Sequence, residues 1–172
     1  MENNTLELCY INDSYIQYLK NMGNNGIEDN YAKSEHQKPY IGIVLTVKGY
    51  KYFAPLSSPK GKYAKIADSN PTLFKILKKD NKTLLGVIRL NNMIPVPESA
   101  VNKIYINAIT DNNYKNLLLS QRRIIIFNTD KILRKAEKMY YLVVNKKNKF
   151  YSSLSNNFLA LEQALDNYTD AQ

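Results

Sequence analysis

The sequence contains few of the side chains on which metal and thiol chemistry depend. It has one cysteine and one histidine among 172 residues, and no Asp, Glu and His cluster at metal-ligand spacing. Cys9 cannot form an internal disulfide, and it lies in the largely apolar run 6–10, so we expect a buried thiol in a reducing cytoplasm. The sequence therefore predicts no metal site, no cofactor and no disulfide framework.

Long hydrophobic segments and glycine-rich phosphate motifs are also absent. No apolar run approaches the roughly 18 residues of a membrane helix, and residues 1–4 show no secretion signal. The motifs G-x-x-x-x-G-K-[ST], G-x-G-x-x-G and G-x-S-x-G do not occur. These absences disfavour a membrane protein, a nucleotide hydrolase, a dinucleotide enzyme and a conventional acyl-transfer hydrolase.

Positive charge and tyrosine are abundant. Twenty-four Lys and Arg oppose fifteen Asp and Glu, for a formal net charge of +9, and fourteen tyrosines accompany no tryptophan. Basic side chains bind phosphate, and exposed tyrosines can stack on unpaired bases. The composition is compatible with nucleic-acid binding, although a small basic protein with tyrosines in its core would share it. No helix-turn-helix pattern supports a DNA-binding regulator.

The hydrophobic pattern predicts one α+β domain over residues 1–172, with strands first and helices later. We predict a strand at 5–10, a helix from Asp13 or Ser14 to Met22, hairpins at 40–47/50–55 and 72–78/83–90, and a strand at 93–96. The second hairpin is expected to turn at Asp80-Asn81. Helices are predicted at 112–127, with Asp111 or Asn112 as the cap, and at 130–144 and 156–167. The helices are expected to pack on a small, curved antiparallel sheet. The last helix contains Glu162, Asp166 and Asp170, so we expect it to face away from bound phosphates.

The segment 40–60 has the most informative local pattern. Apolar residues alternate at period 2 along 41–47, and Lys48-Gly49 supplies a turn. Pro55 has no N–H to donate, so we expect it to end the ladder between the two strands. Beyond it lies the sequence Ser-Ser-Pro-Lys (residues 57–60), which places two hydroxyls and an ammonium group on one proline-stiffened loop. These groups suit phosphate chemistry.

This segment resembles the ToxN/AbiQ family, the endoribonuclease toxins of type III toxin–antitoxin and phage-abortive systems. The similarity lies in Ile-Gly-Ile-Val-Leu (41–45), a turn, and then Lys-Tyr-Phe-Ala-Pro-Leu-Ser-Ser-Pro-Lys (51–60). It continues in order at 14–20, 92–96, 114–115 and 128–132. The resemblance implies an SH3-like barrel related to the Kid/MazF toxins, with added helices, and metal-independent RNA cleavage.

The residues that match the family's motifs are the candidate catalytic residues. The resemblance implies that Ser57, Ser58 and Lys60 act on the scissile phosphate, with Lys38 before the first hairpin strand and Tyr15 also lining the active site. Such groups can align the attack of an RNA 2′-hydroxyl on its own phosphate, leaving 2′,3′-cyclic phosphate and 5′-hydroxyl ends. From the residues alone, a loop that only caps a turn and a core-facing Tyr15 remain alternatives.

Further residues are predicted to bind RNA. Histidine changes charge near neutral pH, so His36 is either an RNA contact or an alternative general base. Tyr31 is a candidate for stacking on an RNA base. The segment 115–149 carries most of the net charge, and its alternative interpretation is a solvated helix face. The candidate RNA-binding residues of the helices are Lys115, Arg122, Arg123, Lys131, Arg134, Lys135 and Lys138.

The resemblance also implies the partners. Toxins of this family are held inactive by a repetitive small RNA, which they process into pseudoknot-forming units that bind toxin in a closed cyclic assembly. Cellular and phage transcripts are the implied substrates, and phage defence by abortive infection is the implied role. We expect a cytoplasmic protein with no membrane partner. The alternative function is a non-catalytic RNA-binding module.

Overall fold

The computed structural model describes residues 5–23, 26–31 and 35–169, which form a mixed α+β fold. The strands are β1 (Glu7–Ile11), β2 (Tyr40–Val47), β3 (Tyr50–Ser57), β4 (Leu73–Leu77), β5 (Leu84–Arg89), β6 (Ile94–Pro95) and β7 (Val101–Lys103). The helices are α1 (Asp13–Asn21), α2 (Gly61–Ala64), α3 (Asn112–Phe127), α4 (Thr129–Tyr140), α5 (Lys149–Leu154) and α6 (Phe158–Asp166). Short 3₁₀ turns lie at Leu90–Asn92, Glu98–Ala100 and Ile106–Ala108, and a π turn at Tyr141–Asn145.

The strands form an open antiparallel sheet in the order β4-β5-β3-β2-β1-β7, with β6 paired to β3. The predicted turn between β2 and β3 is confirmed, because Lys48 and Gly49 both have positive φ, at 50° and 84°. Two such residues give the turn twist that matches the twist of the flanking strands. The α+β architecture is thus confirmed, whereas the SH3-like barrel stays a prediction.

The prediction that Pro55 ends the ladder between β2 and β3 is confirmed, although the strand itself continues to Ser57. Pro55 still lies opposite β2, whereas Leu56 and Ser57 lie opposite Ile88 and Val87 of β5. Strand β3 therefore changes partners just after the proline, and the missing N–H does not interrupt a continuous ladder. As a result, the strand delivers Ser57 to the junction between the two hairpins.

The alternation predicted along β2 also breaks. The register with β3 shifts between Gly42 and Leu45. Ile41 and Val44 are buried, whereas Ile43 and Leu45 are only half-buried. An irregularity of one residue exchanges the two faces of a strand, because side chains alternate at period 2.

The helical half follows the sequence pattern closely. Asp111 caps α3 as predicted, since its carboxylate accepts the N–H groups of Asn113 and Tyr114. The cap of α1 is Asn12 rather than Asp13 or Ser14, and neither β7 nor α5 was predicted. In the described ranges, no helix has the length and apolar character needed to cross a membrane.

Two hydrophobic clusters hold the helices on the sheet. One packs α3, α4 and α6 against the strands through residues such as Leu118, Ile125 and Ile132. The other packs α1 through Ile16 and Leu19. Fully burying a side chain of this size contributes about 1.5–3 kcal/mol relative to leaving it exposed, so both helical layers are firmly anchored.

The acidic helix α6 was expected to face away from bound phosphates. Its Glu162 does not face solvent, because it is buried in the core. Glu162 is 5% exposed and points into the core. Its Oε1 accepts hydrogen bonds from the hydroxyls of Tyr52 at 2.6 Å and Tyr140 at 2.8 Å. A buried carboxylate needs such donors. Asp170 lies outside the described residues.

Candidate active site

A cleft of about 170 Å³ opens where the end of β3 meets α3. Its walls are formed by residues 28–30 and 36–39, residues 56–60, Leu85, and the side of α3 that carries Tyr114, Leu117, Leu118 and Gln121. Five residues that the sequence analysis selected line it, namely His36, Lys38, Ser57, Ser58 and Lys60. Tertiary structure therefore joins the Ser-Ser-Pro-Lys loop to a segment about twenty residues upstream.

The pairing of β3 with β5 positions Ser57. Ser57 lies opposite Val87, next to Gly86. A Cβ at Gly86 would lie 2.9 Å from the carbonyl oxygen of Ser57 and 3.0 Å from Nε2 of Gln121, and its φ is +152°. Only glycine permits this close approach without strain. Sequence reasoning missed Gly86, because an isolated glycine in a strand has no distinctive motif.

Gln121 supports the same junction from α3. It is 5% exposed, and its Nε2 donates to the carbonyl of Leu85 at 3.0 Å. Ser58 and Lys60 follow on the exposed part of the loop. Lys60 has extended backbone, with φ −136° and ψ 147°, and is the N-cap residue immediately before α2. The two hydroxyls and the ammonium group thus extend from a strand end that the core holds in place.

Lys38 is held in the cleft by an ion pair. Its Nζ lies 3.0 Å from Oε2 of Glu28, and its side chain is 15% exposed. The backbone N–H of Lys38 also donates to the carbonyl of Asn30 at 2.7 Å. The second oxygen of Glu28 pairs with Arg89 at 3.0 Å, so one carboxylate fixes two cations. Sequence reasoning missed Glu28, whose role appears only once these segments meet.

His36 lies at the same cleft with its ring fixed in two ways. The imidazole stacks on Tyr114, with ring centroids 3.8 Å apart and planes 8° apart. Its Nε2 lies 3.2 Å from Oδ2 of Asp111. The pKa of Asp111 is lowered, first by the backbone N–H of Tyr114 and then by His36. The Asp111 carboxylate that caps α3 therefore also orients the imidazole of His36.

The structure does not bring Tyr15 to this cleft. Its side chain is completely buried, and its hydroxyl donates to the carbonyl of Pro95 at 2.6 Å. Burial raises the pKa of this phenol. The core-facing alternative describes this position. Tyr31, by contrast, is 58% exposed, and its hydroxyl lies 3.5 Å from Oε1 of Gln37, a residue of the cleft.

The basic residues predicted on α3 lie at the helix surface. Nζ of Lys115 donates to the carbonyl of Asn107 at 3.3 Å. Arg122 lies 3.8 Å from Oε1 of Glu7, and Arg123 is exposed. At this distance and exposure the Arg122 pair stabilises little, so both arginines can contact a polyanion.

The basic residues of α4 divide into two kinds. Lys131, Arg134 and Lys138 are exposed and line a second groove, at the corner between α3 and α4. Lys135 is different, because its ammonium donates to three backbone carbonyls. These belong to Asp68 and Asn70 (2.9 Å) in the loop before β4, and to Leu73 (3.0 Å), the first residue of β4. Burial, followed by the charge of Lys131, lowers the pKa of Lys135 to about 8.

Lys135 is therefore corrected from an RNA contact to a residue that holds a loop. An ammonium group has three N–H donors, and the three carbonyls use all of them.

Among the described residues, no group of three or more His, Cys, Asp or Glu side chains is placed so that it could hold a metal ion.

Known proteins are similar to this chain in sequence and in fold. Residues 7–166 match the family model of toxin ToxN of type III toxin–antitoxin systems. Endoribonuclease ToxN of Pectobacterium atrosepticum is 33% identical over 138 residues, which cover 80% of this chain and 81% of that protein. The endoribonuclease activity in this name belongs to the relative from Pectobacterium atrosepticum.

Solved structures are also similar to this chain in fold. One, described as a bacterial antiviral system regulated by a processed non-coding RNA, matches with a TM-score of 0.85 and 30% identity, covering 95% of this chain and 99% of the other. A second, described as showing selective toxin inhibition by a non-coding RNA pseudoknot, has a TM-score of 0.83 and 29% identity, covering 97% and 99%. The chain belongs to the ToxN toxin family of type III toxin–antitoxin systems.

Proposed function

We propose that this protein is a metal-independent, sequence-selective endoribonuclease toxin, with residues 1–172 acting as one domain built on an SH3-like barrel of the Kid/MazF type. The observation that carries the proposal is the convergence of Lys38, Ser57, Ser58 and Lys60 on one cleft. The family supports it, since a ToxN relative at 33% identity is named an endoribonuclease.

In the proposed reaction the 2′-hydroxyl of one RNA nucleotide attacks the adjacent phosphorus, and the bond from phosphorus to the 5′-oxygen breaks. The 2′-hydroxyl loses its proton, and the leaving 5′-oxygen gains one. Lys38 and Lys60 stabilise the extra negative charge on the phosphorane, and the hydroxyls of Ser57 and Ser58 bind its oxygens. His36 is the candidate base that accepts the proton of the 2′-hydroxyl, and Lys60 is the candidate acid that donates a proton to the leaving 5′-oxygen. The products carry 2′,3′-cyclic phosphate and 5′-hydroxyl ends.

The proposed inhibitor is a small repetitive RNA that the protein itself processes. We infer that each repeat folds as a pseudoknot and closes a cyclic assembly with the toxin. A solved toxin described as inhibited by an RNA pseudoknot, at a TM-score of 0.83, supports this partner. Cellular and phage transcripts in the cytoplasm are the proposed substrates, and phage defence by abortive infection is the proposed role.

A non-catalytic RNA-binding module is the second candidate. It is favoured by the basic groove at the corner between α3 and α4, which shares no lining residue with the cleft. Such a protein would bind RNA through the groove and use the Ser-Ser-Pro-Lys loop only to hold a phosphate.

The end chemistry of the cleaved RNA tests the proposal. Purified protein should cut single-stranded RNA in excess EDTA and leave cyclic phosphate and 5′-hydroxyl ends. A matched RNA with a single 2′-deoxynucleotide at the cut position should stay intact there, because it lacks the nucleophile. Loss of cleavage in EDTA, 5′-phosphate products, or cleavage of the deoxy substrate would contradict the mechanism. Tight binding without cleavage would favour the second candidate.

A further inference from the structure

The corner between α3 and α4 carries an exposed aromatic ring beside a basic groove. Phe127, the last residue of α3, is 90% exposed. The groove has a volume of about 530 Å³. We call it the α3–α4 groove, and its lining residues are Ser69, Phe127, Asn128, Asp130, Lys131, Arg134, Lys135 and Lys138. A single exposed apolar residue needs no explanation, but a ring at the rim of a charged groove forms a defined surface.

The helix junction holds the backbone at Phe127 in place. The side-chain amide of Asn128 donates to the carbonyl of Ile124 at 2.8 Å, and the Asn128 backbone N–H bonds to the last turn of α3. The hydroxyl of Thr129 donates to the carbonyl of Ile126 at 2.9 Å. These bonds use carbonyls that a helix end otherwise leaves to water. Phe127 is therefore attached to an ordered corner and not to a frayed helix end.

The charge of the groove is strongly positive. Lys131, Arg134 and Lys138 follow one another at spacings of three and four residues, so they share a face of α4. Among the residues that the structure describes, a single carboxylate, that of Asp130, lines the groove with them. Lys135 lies on the same face, but its ammonium binds the carbonyls of Asp68 and Asn70, the two neighbours of Ser69, and that of Leu73.

A cationic groove with one accessible ring is complementary to an unpaired nucleotide. The phosphates of the strand match the three cations, and an aromatic ring can stack on any base because every base has a π face. A paired base in a helix would not expose that face. The surface thus fits single-stranded RNA better than a duplex.

We propose that the α3–α4 groove binds an unpaired nucleotide of the inhibitory RNA, with its base stacked on Phe127 and its phosphates bound by Lys131 and Arg134. The RNA partner rests on the proposed function, but the groove shares no lining residue with the catalytic cleft. It is therefore a second contact on the same RNA.

A non-cleavable probe separates this contact from catalysis. The probe is a fluorescent 2′-O-methyl RNA of mixed sequence, which lacks the attacking hydroxyl, and its duplex with a complementary strand is the paired control. Phe127→Ala should weaken binding of the single strand by roughly tenfold, the loss of one stacked base, and Phe127→Trp should retain it. The matched control is Phe150→Ala, since Phe150 is 62% exposed and does not line the groove.

The phosphate half of the proposal has its own measurement. Lys131→Gln with Arg134→Gln should flatten the dependence of log K on log salt by roughly 0.7 per lost phosphate contact on a single strand. Unchanged single-strand affinity in Phe127→Ala would overturn the proposal, as would an equal loss for the duplex. Failure of the wild-type protein to cleave RNA would count against the proposed function only, because the probe is not cut.

A second copy of the chain is the competing occupant of the groove. Sedimentation of the RNA-free protein distinguishes it. The RNA proposal is wrong if the wild type self-associates and Phe127→Ala abolishes that association without changing RNA affinity. The groove would then be a protein interface.

Discussion

The ammonium of Lys38 lies 3.0 Å from the carboxylate of Glu28, in the same cleft as Ser58 and Lys60. Glu28 also pairs with Arg89 of β5 at 3.0 Å. One acidic residue thus connects the segment before β2 to the hairpin that supports Ser57. It places Lys38 beside a loop that follows it by about twenty residues.

Replacing Glu28 with Gln should slow RNA cleavage through the position of Lys38. The substitution keeps the shape but removes the charge that holds the ammonium, and a small displacement of a catalytic group costs tenfold or more in rate. We expect a roughly tenfold lower kcat and little change in KM, since the loss of a carboxylate that repels phosphate offsets the displacement of the ammonium. Single-turnover and steady-state cleavage assays measure both. The exposed Glu98→Gln is the control, and an unchanged kcat in Glu28→Gln would remove this role.

Replacing Lys60 with Ala should abolish most cleavage while the fold remains. The side chain is exposed, so the stability should change by about 0.5 kcal/mol or less. Loss of one group that stabilises the phosphorane should cost roughly 10²–10³ in rate, and Ser58→Ala should behave similarly. Cleavage kinetics and thermal unfolding test this, with exposed Lys65→Ala as control. Wild-type cleavage by Lys60→Ala would move the chemistry elsewhere, with His36 as the next residue to replace.

Replacing Gly86 with Ala should displace the carbonyl of Ser57. The new Cβ would lie 2.9 Å from that oxygen, a backbone atom, at a φ of +152°. We expect a loss of roughly 1–3 kcal/mol in stability from overpacking, together with slower cleavage. Denaturant unfolding and cleavage rates measure the two effects. Gly61→Ala is the matched control, because no atom lies within 4 Å of its added Cβ; equal behaviour of the two variants would contradict the argument.

Replacing Tyr52 with Phe should destabilise the core around Glu162. Burial and the bond to Glu162 raise the pKa of Tyr52, so its hydroxyl remains a donor to the carboxylate. Removing it leaves a buried acceptor with one partner fewer, at a cost of roughly 1–3 kcal/mol. Urea unfolding measures this loss. Tyr50→Phe, whose hydroxyl bonds Asp166 at an exposed site, should cost less, and the reverse order would show that the Glu162 bonds contribute little.

The local features of this protein can be predicted from short stretches of its sequence. The Lys48-Gly49 turn, the Asp80-Asn81 turn and the Asp111 cap follow from backbone preferences and side-chain acceptors that act within a few residues. The Ser-Ser-Pro-Lys loop was recognisable for the same reason, since its chemistry lies in consecutive residues.

Contacts between residues far apart in the chain could be seen only in the folded structure. Tyr52 and Glu162 are 110 positions apart when they bond, and Lys135 reaches carbonyls more than sixty positions away. The same holds for Tyr15, whose burial against Pro95 removed it from the cleft, and for the partner change of β3 after Pro55. A local pattern can indicate that a side chain is apolar or charged, but packing decides whether it faces solvent, a core or a neighbouring carbonyl. The candidate site therefore needed the fold to bring Glu28 and Lys38 to the loop that the sequence had identified.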